Sequence, residues 1–134
     1  MRYFAKRGYT GEDLAKRMCA FLFSPTFEEI DIVRITAALW AGIARKVSLR
    51  EAKVRASDYN DVELIAHYAP YCDAMLVDRR MKDLLTTNPI KDKLALRTKF
   101  FTAANIDELV ELVEFAIRDI PVSVAKVVPE VYSQ

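Results

Sequence analysis

Apolar positions recur along most of this chain at helical spacing. Leu14, Met18, Phe21 and Leu22 follow one another at three- to four-residue steps and predict a helix that ends near Ser24-Pro25. From about Phe27 to Val47 two stripes run side by side, Ile32, Ile35, Leu39 and Ile43 in one, Val33, Ala37, Trp40 and Ala44 in the other. A helix apolar over most of its circumference is expected in the middle of a fold. Short helices are predicted at Ser48–Ala56 and Asp58–Ala69, the second stopped by Pro70. Four pairs of a capping residue with an acid three positions on reinforce these starts: Thr10 with Asp13, Thr26 with Glu29, Ser48 with Glu51 and Asn105 with Glu108.

Beyond Pro70 the pattern changes. Asp73–Asp78 is a short apolar run between two acids and predicts a buried strand. Arg80–Thr87 reads as a helix closed by Asn88-Pro89, and Thr98–Thr102 as a second strand. Asn105 opens a helix with Ile106, Leu109, Val110, Val113, Ile117 and Ile120 on one face; Pro121 ends it, and a last amphipathic stretch carries Val124, Val127, Val128 and Val131. Strand, helix, strand, helix in that order implies a right-handed parallel crossover. The expected fold is α/β, helix-rich, with a small parallel sheet, in one domain spanning residues 1–134.

Composition narrows the class. Three glycines and five prolines among 134 residues are too few for a turn-rich sandwich or barrel. Twenty Lys+Arg against nineteen Asp+Glu leave a formal charge of +1, so no global bias selects a nucleic-acid partner. Cys19 and Cys72, with the single His67, cannot supply the four ligands of a structural zinc site and are expected to be buried thiols. The longest uncharged runs, Met18–Phe27 and Ile35–Ala44, hold ten residues each, half of a membrane span. With basic residues but no apolar run after them at the N-terminus, a cytoplasmic chain with no membrane partner is expected.

Geometry selects two carboxylates. From Asp61 to Pro70 a helix rises about 14 Å, and from Ala74 to Asp78 an antiparallel strand returns about 13 Å. Asp61 and Asp78 are thus expected at one level, the C-terminal edge of the strand, where open α/β sheets place their sites. Two carboxylates there suit Mg²⁺ or Mn²⁺, and Asp58, one turn before Asp61, offers a third oxygen ligand. The same acids also suit caps: Asp58 and Asp61 in a first helical turn, Asp78 at a strand end beside Arg79 and Arg80.

The segment Ser57–Leu85, with its Ala69-Pro-Tyr-Cys-Asp73 turn and the strand ending in Asp78, resembles the latter half of a PIN-like domain. Lys99–Thr102 and the helix Asp107–Ile117 fit that family's last strand and helix. The similarity runs from about Phe27 to Tyr132, its specific part being Asp58–Leu85. PIN domains are compact α/β nucleases that cut RNA with Mg²⁺ or Mn²⁺ held by three or four acids. The resemblance implies that Asp61 matches the acid of the helix before the late strand and Asp78 the acid at that strand's end. Two departures accompany it. Met1–Phe4 supplies no opening strand ending in Asp, and Ile35–Leu39 has alanines where the early helix carries glutamate. Half of the acidic set is therefore absent, as in a fragment or a degenerate member.

Other residues frame two functions. Arg79, Arg80 and Lys82, with Lys91, Lys93, Arg97 and Lys99, follow Asp78 and are candidates for holding an RNA backbone; scattered cations also serve solubility. Tyr68, Tyr71 and Cys72 are expected in the core at the helix-to-strand corner, with a recognition surface as the alternative. A Cys72 nucleophile would need His67 as its base. Asp107, Glu108, Glu111 and Glu114 read as a solvated helix face. The enzymatic reading is a metal-dependent RNA phosphodiesterase, catalytic through Asp61 and Asp78. The other is a non-catalytic binding or oligomerisation module, a homodimer that covers an open sheet edge or the apolar surface around Trp40.

Overall fold

In a computed structural model of the chain, Gly8 and residues 11–118 are described. Among the described residues, seven α-helices and two short strands follow in the order α1 (Gly11–Leu22), α2 (Pro25–Glu28), α3 (Asp31–Ser48), α4 (Ala56–Tyr68), β1 (Ala74–Leu76), α5 (Arg79–Thr86), α6 (Ile90–Leu94), β2 (Lys99–Phe101) and α7 (Ile106–Arg118). The strands pair in parallel, Ala74 with Lys99, Met75 with Phe100 and Leu76 with Phe101. The chain is α/β and helix-rich with a small parallel sheet. No helix among the described residues is long and apolar enough to cross a membrane.

The core lies between α3, α4, α5 and α6. Ile35, Leu39 and Ile43 of α3 meet Val62 and Ile65 of α4, Met81 and Leu84 of α5, and Ile90 and Leu94 of α6. Only one stripe of α3 is buried: Ala37 and Ala44 are exposed, and Val33 and Trp40 are half-buried. The helix therefore lies against one side of the core and is not wrapped on all sides. Gly42 allows the closest approach, because a Cβ there would run into Ile90 Cδ1 and stand 2.8 Å from Leu84 Cδ1. Arg34 Nη1 donates to the Leu94 carbonyl at 3.0 Å and to that of Lys93 at 3.4 Å, tying the end of α6 to α3. The Thr98 hydroxyl lies against the Ala69 and Cys72 carbonyls and joins β2 to the turn that feeds β1.

Several predicted elements differ. The helix expected from Phe27 is interrupted: Ser24 caps α2 through the Phe27 N–H, Ile30 turns extended, and α3 begins at Asp31, paired with Arg34 at 2.7 Å. Ser48–Ala56 is not a helix. Arg50 adopts a left-handed backbone (φ 58°), and the Arg50 and Glu51 N–H groups donate to the Val47 and Lys46 carbonyls. Those two bonds close α3 in a Schellman motif and place Ser48 in its last turn, so Ser48 caps nothing that follows. Helix α6 had no periodic signal, being five residues long. Strand β1 is half-buried, not buried, with Leu76 55% exposed. Cys19 is exposed. Helices α1 and α7 fully bury no residue, so of the apolar stripes predicted on them Leu14 and Leu109 are half-buried and the other described members are exposed. Thr10, Ile120 and the stretch Val124–Val131 lie outside the described residues.

Candidate acidic cleft

Asp61 and Asp78 line one cleft of about 860 Å³ at the C-terminal end of β1. Asp61 sits in the second turn of α4, and Asp78 follows β1 directly. Leu64, Tyr68, Leu76 and Thr102 line the same cleft. The carboxyl of Asp61 is held above the ordinary Asp value, first by burial and then by the negative charges of Asp78 and Asp58, with Arg80 opposing. Asp61 thus feels burial first and then two neighbouring carboxylates that Arg80 offsets in part.

Asp58, the expected third ligand, has both oxygens engaged. Arg80 Nη1 lies 2.8 Å from one and 3.1 Å from the other, and the Arg55 N–H donates to Asp58 Oδ2 at 2.8 Å. Asp58 is 1% exposed and occupies the first turn of α4, where its charge also suits the helix dipole. Its place in the fold is that of a buried ion-pair partner and cap. Asp78 is the N-cap of α5, one oxygen accepting the Met81 N–H at 2.6 Å. Among the described residues no group of three or more His, Cys, Asp or Glu is arranged to hold a metal ion.

The candidate RNA-binding cations that border a hollow are divided among three of them. Arg79 lines the acidic cleft. Arg80 is consumed by Asp58, its Nη2 buried without a hydrogen-bond partner. Lys82 and Lys99 border a different hollow together with Glu108 and Glu111, and Lys93 borders a third. Tyr68 and Tyr71, expected in the core, are 56% and 82% exposed. His67 Nδ1 lies 2.8 Å from the Glu63 carbonyl, and no hydrogen bond joins it to half-buried Cys72 among the described residues.

The cleft-lining role of Leu64 and Thr102 had no sequence signal, because it depends on how α4 and the segment after β2 meet β1, whereas Tyr68, for which a recognition surface is the alternative to the core, lines the cleft with them. Compared with protein families, curated proteins and solved structures, the chain has no match.

Proposed function

We propose that this chain is a PIN-like domain whose cleft binds a divalent cation weakly through Asp61 and Asp78 and does not cleave RNA unaided. The observation that carries the reading is the shared cleft of these two carboxylates, combined with the withdrawal of Asp58 into its pair with Arg80. Hard cations such as Mg²⁺ favour about six oxygen ligands. One oxygen of Asp78 already accepts a backbone N–H, so water must fill most of the shell. In a complete set such an ion supplies an activated water and a clamp on the phosphate. The residues present suit a hydrated ion and fall short of that set. Unpaired cysteines fit a cytoplasmic setting for such a domain. The test is incubation of single-stranded RNA with the chain and Mn²⁺. The RNA stays intact on this reading; cleavage lost in Asp61→Asn would overturn it.

A second reading, a non-catalytic module that works by association, draws on α7. Val110, Val113 and Ile117 on this helix are each about half exposed or more. Soluble chains seldom leave such a stripe uncovered. A homodimer burying it would appear in sedimentation as a concentration-dependent dimer lost in Val113→Lys.

A further inference from the structure

A cavity of about 340 Å³ lies between the second half of α3 and the α5–α6 connection, and it shares no residue with the acidic cleft. Its floor is aliphatic: Leu49, Leu84, Pro89 and Ile90 contribute, with no aromatic ring among the lining residues. Its rim is cationic. Arg45, Lys46 and Lys93 stand around it against the single carboxylate of Glu51, a local surplus of two positive charges in a chain whose total is +1. None of the three cations is ion-paired among the described residues.

Hydrogen bonds to backbone carbonyls shape both walls. The Schellman closure after Ser48 turns the chain so that Leu49 and Glu51 border the cavity on the α3 side. On the other side, Arg34 holds the Lys93 and Leu94 carbonyls and so sets the base of the Lys93 side chain. Lys46 is half-buried, and a lysine stem can cover apolar surface while its ammonium reaches water.

We propose that this cavity is a binding site for a small aliphatic carboxylate, with the alkyl chain on the Leu84–Ile90 floor and the carboxylate among Arg45, Lys46 and Lys93. Volume, floor and rim each restrict the ligand. The volume is at the small end of organic-ligand pockets, which begin near ~300 Å³. A floor of aliphatic side chains without rings offers nothing for a nucleobase to stack on and suits a flexible chain. The rim selects an anion over an amine, because a cation would meet three like charges. Arginine and lysine together give a carboxylate a fork of donors and mobile point charges.

Octanoate, octylamine and octanol serve as probes in titrations of the full chain followed by backbone amide shifts. Octanoate is expected to saturate one site, with shifts concentrated in residues 41–51 and 84–93. Octanol binds more weakly, and octylamine does not saturate. Arg45→Gln/Lys93→Gln alters two exposed side chains and is expected to weaken octanoate about tenfold, close to the loss of one charge-assisted contact. Ala41→Phe, an exposed lining position, fills the cavity and abolishes saturation with the fold intact by its amide spectrum. Octylamine binding as tightly as octanoate, octanoate binding unchanged in the double variant, or no saturation by octanoate would each overturn the proposal.

Discussion

Asp58 and Arg80, 22 residues apart in sequence, meet as an ion pair at 2.8 Å in which the aspartate is 1% exposed and the arginine side chain 16%. The pair fastens the start of α4 to the start of α5, the two elements that carry Asp61 and Asp78. Removing one partner of a buried pair leaves the other charge without compensation, which costs about 3–5 kcal/mol. Arg80→Met should destabilise by that order in urea unfolding. Asp58→Asn/Arg80→Met should recover part of the loss, because no buried charge then remains. Equal stabilities for Arg80→Met and wild type would remove the pair from the account.

Asp61 gives a pH signature. Its carboxyl is raised above 3.8 in the folded chain, so the folded state holds this proton more tightly than the unfolded state. Its contribution to stability therefore falls as pH rises from that value through the raised folded one. Asp61→Asn should stabilise the chain at neutral pH, and the gain should shrink on acidification below the ordinary Asp value. Thermal unfolding of both proteins between acidic and neutral pH checks the sign.

Asp78 serves two roles that separate by substitution. Asp78→Ala removes the cap of α5 and should cost about 1 kcal/mol, whereas Asp78→Asn keeps an oxygen for the Met81 N–H and should cost less. Divalent-ion stabilisation should be lost in both. Chemical denaturation with and without Mn²⁺ distinguishes the two effects.

Any RNA binding is expected to depend only weakly on salt. With Arg80 engaged, Lys82 and Lys99 bordering one hollow and Lys93 another, Arg79 is the one cation lining the acidic cleft among the described residues. About one phosphate contact corresponds to a log–log salt slope near −0.7 for single-stranded RNA. A slope of about −2 or steeper in a fluorescence anisotropy titration would mean that the separate cations act together.

What was legible in the sequence was local. The late helix starts just after Asn105, and the strand before Asp78 pairs in parallel with the one before Thr102, because turn chemistry and short apolar runs are written in adjacent residues. Helical rise and strand return put Asp61 and Asp78 together as an expectation, and the two line one cleft although α4 stops at Tyr68 and β1 at Leu76. What escaped was decided at a distance. Ser48 and Glu51 have the form of a capping pair, yet left-handed Arg50 ends the helix between them. Asp58 has the spacing of a ligand, and only the packing of α4 against α5 reveals that Arg80 takes its oxygens. Tyr68 and Tyr71 are hydrophobic enough for a core, but the turn through Pro70 directs both outward.

On the proposed function, Asp61 and Asp78 form a weak two-carboxylate site without Asp58. Paramagnetic broadening of backbone amides during a Mn²⁺ titration tests it most directly. The expected result is broadening centred on residues 61 and 76–79, weak binding in the range of about 10⁻⁴–10⁻³ M, and loss of the effect in Asp61→Asn with Arg80 still paired to Asp58. Binding orders of magnitude tighter, or broadening that survives Asp61→Asn and disappears in Asp58→Asn, would contradict it.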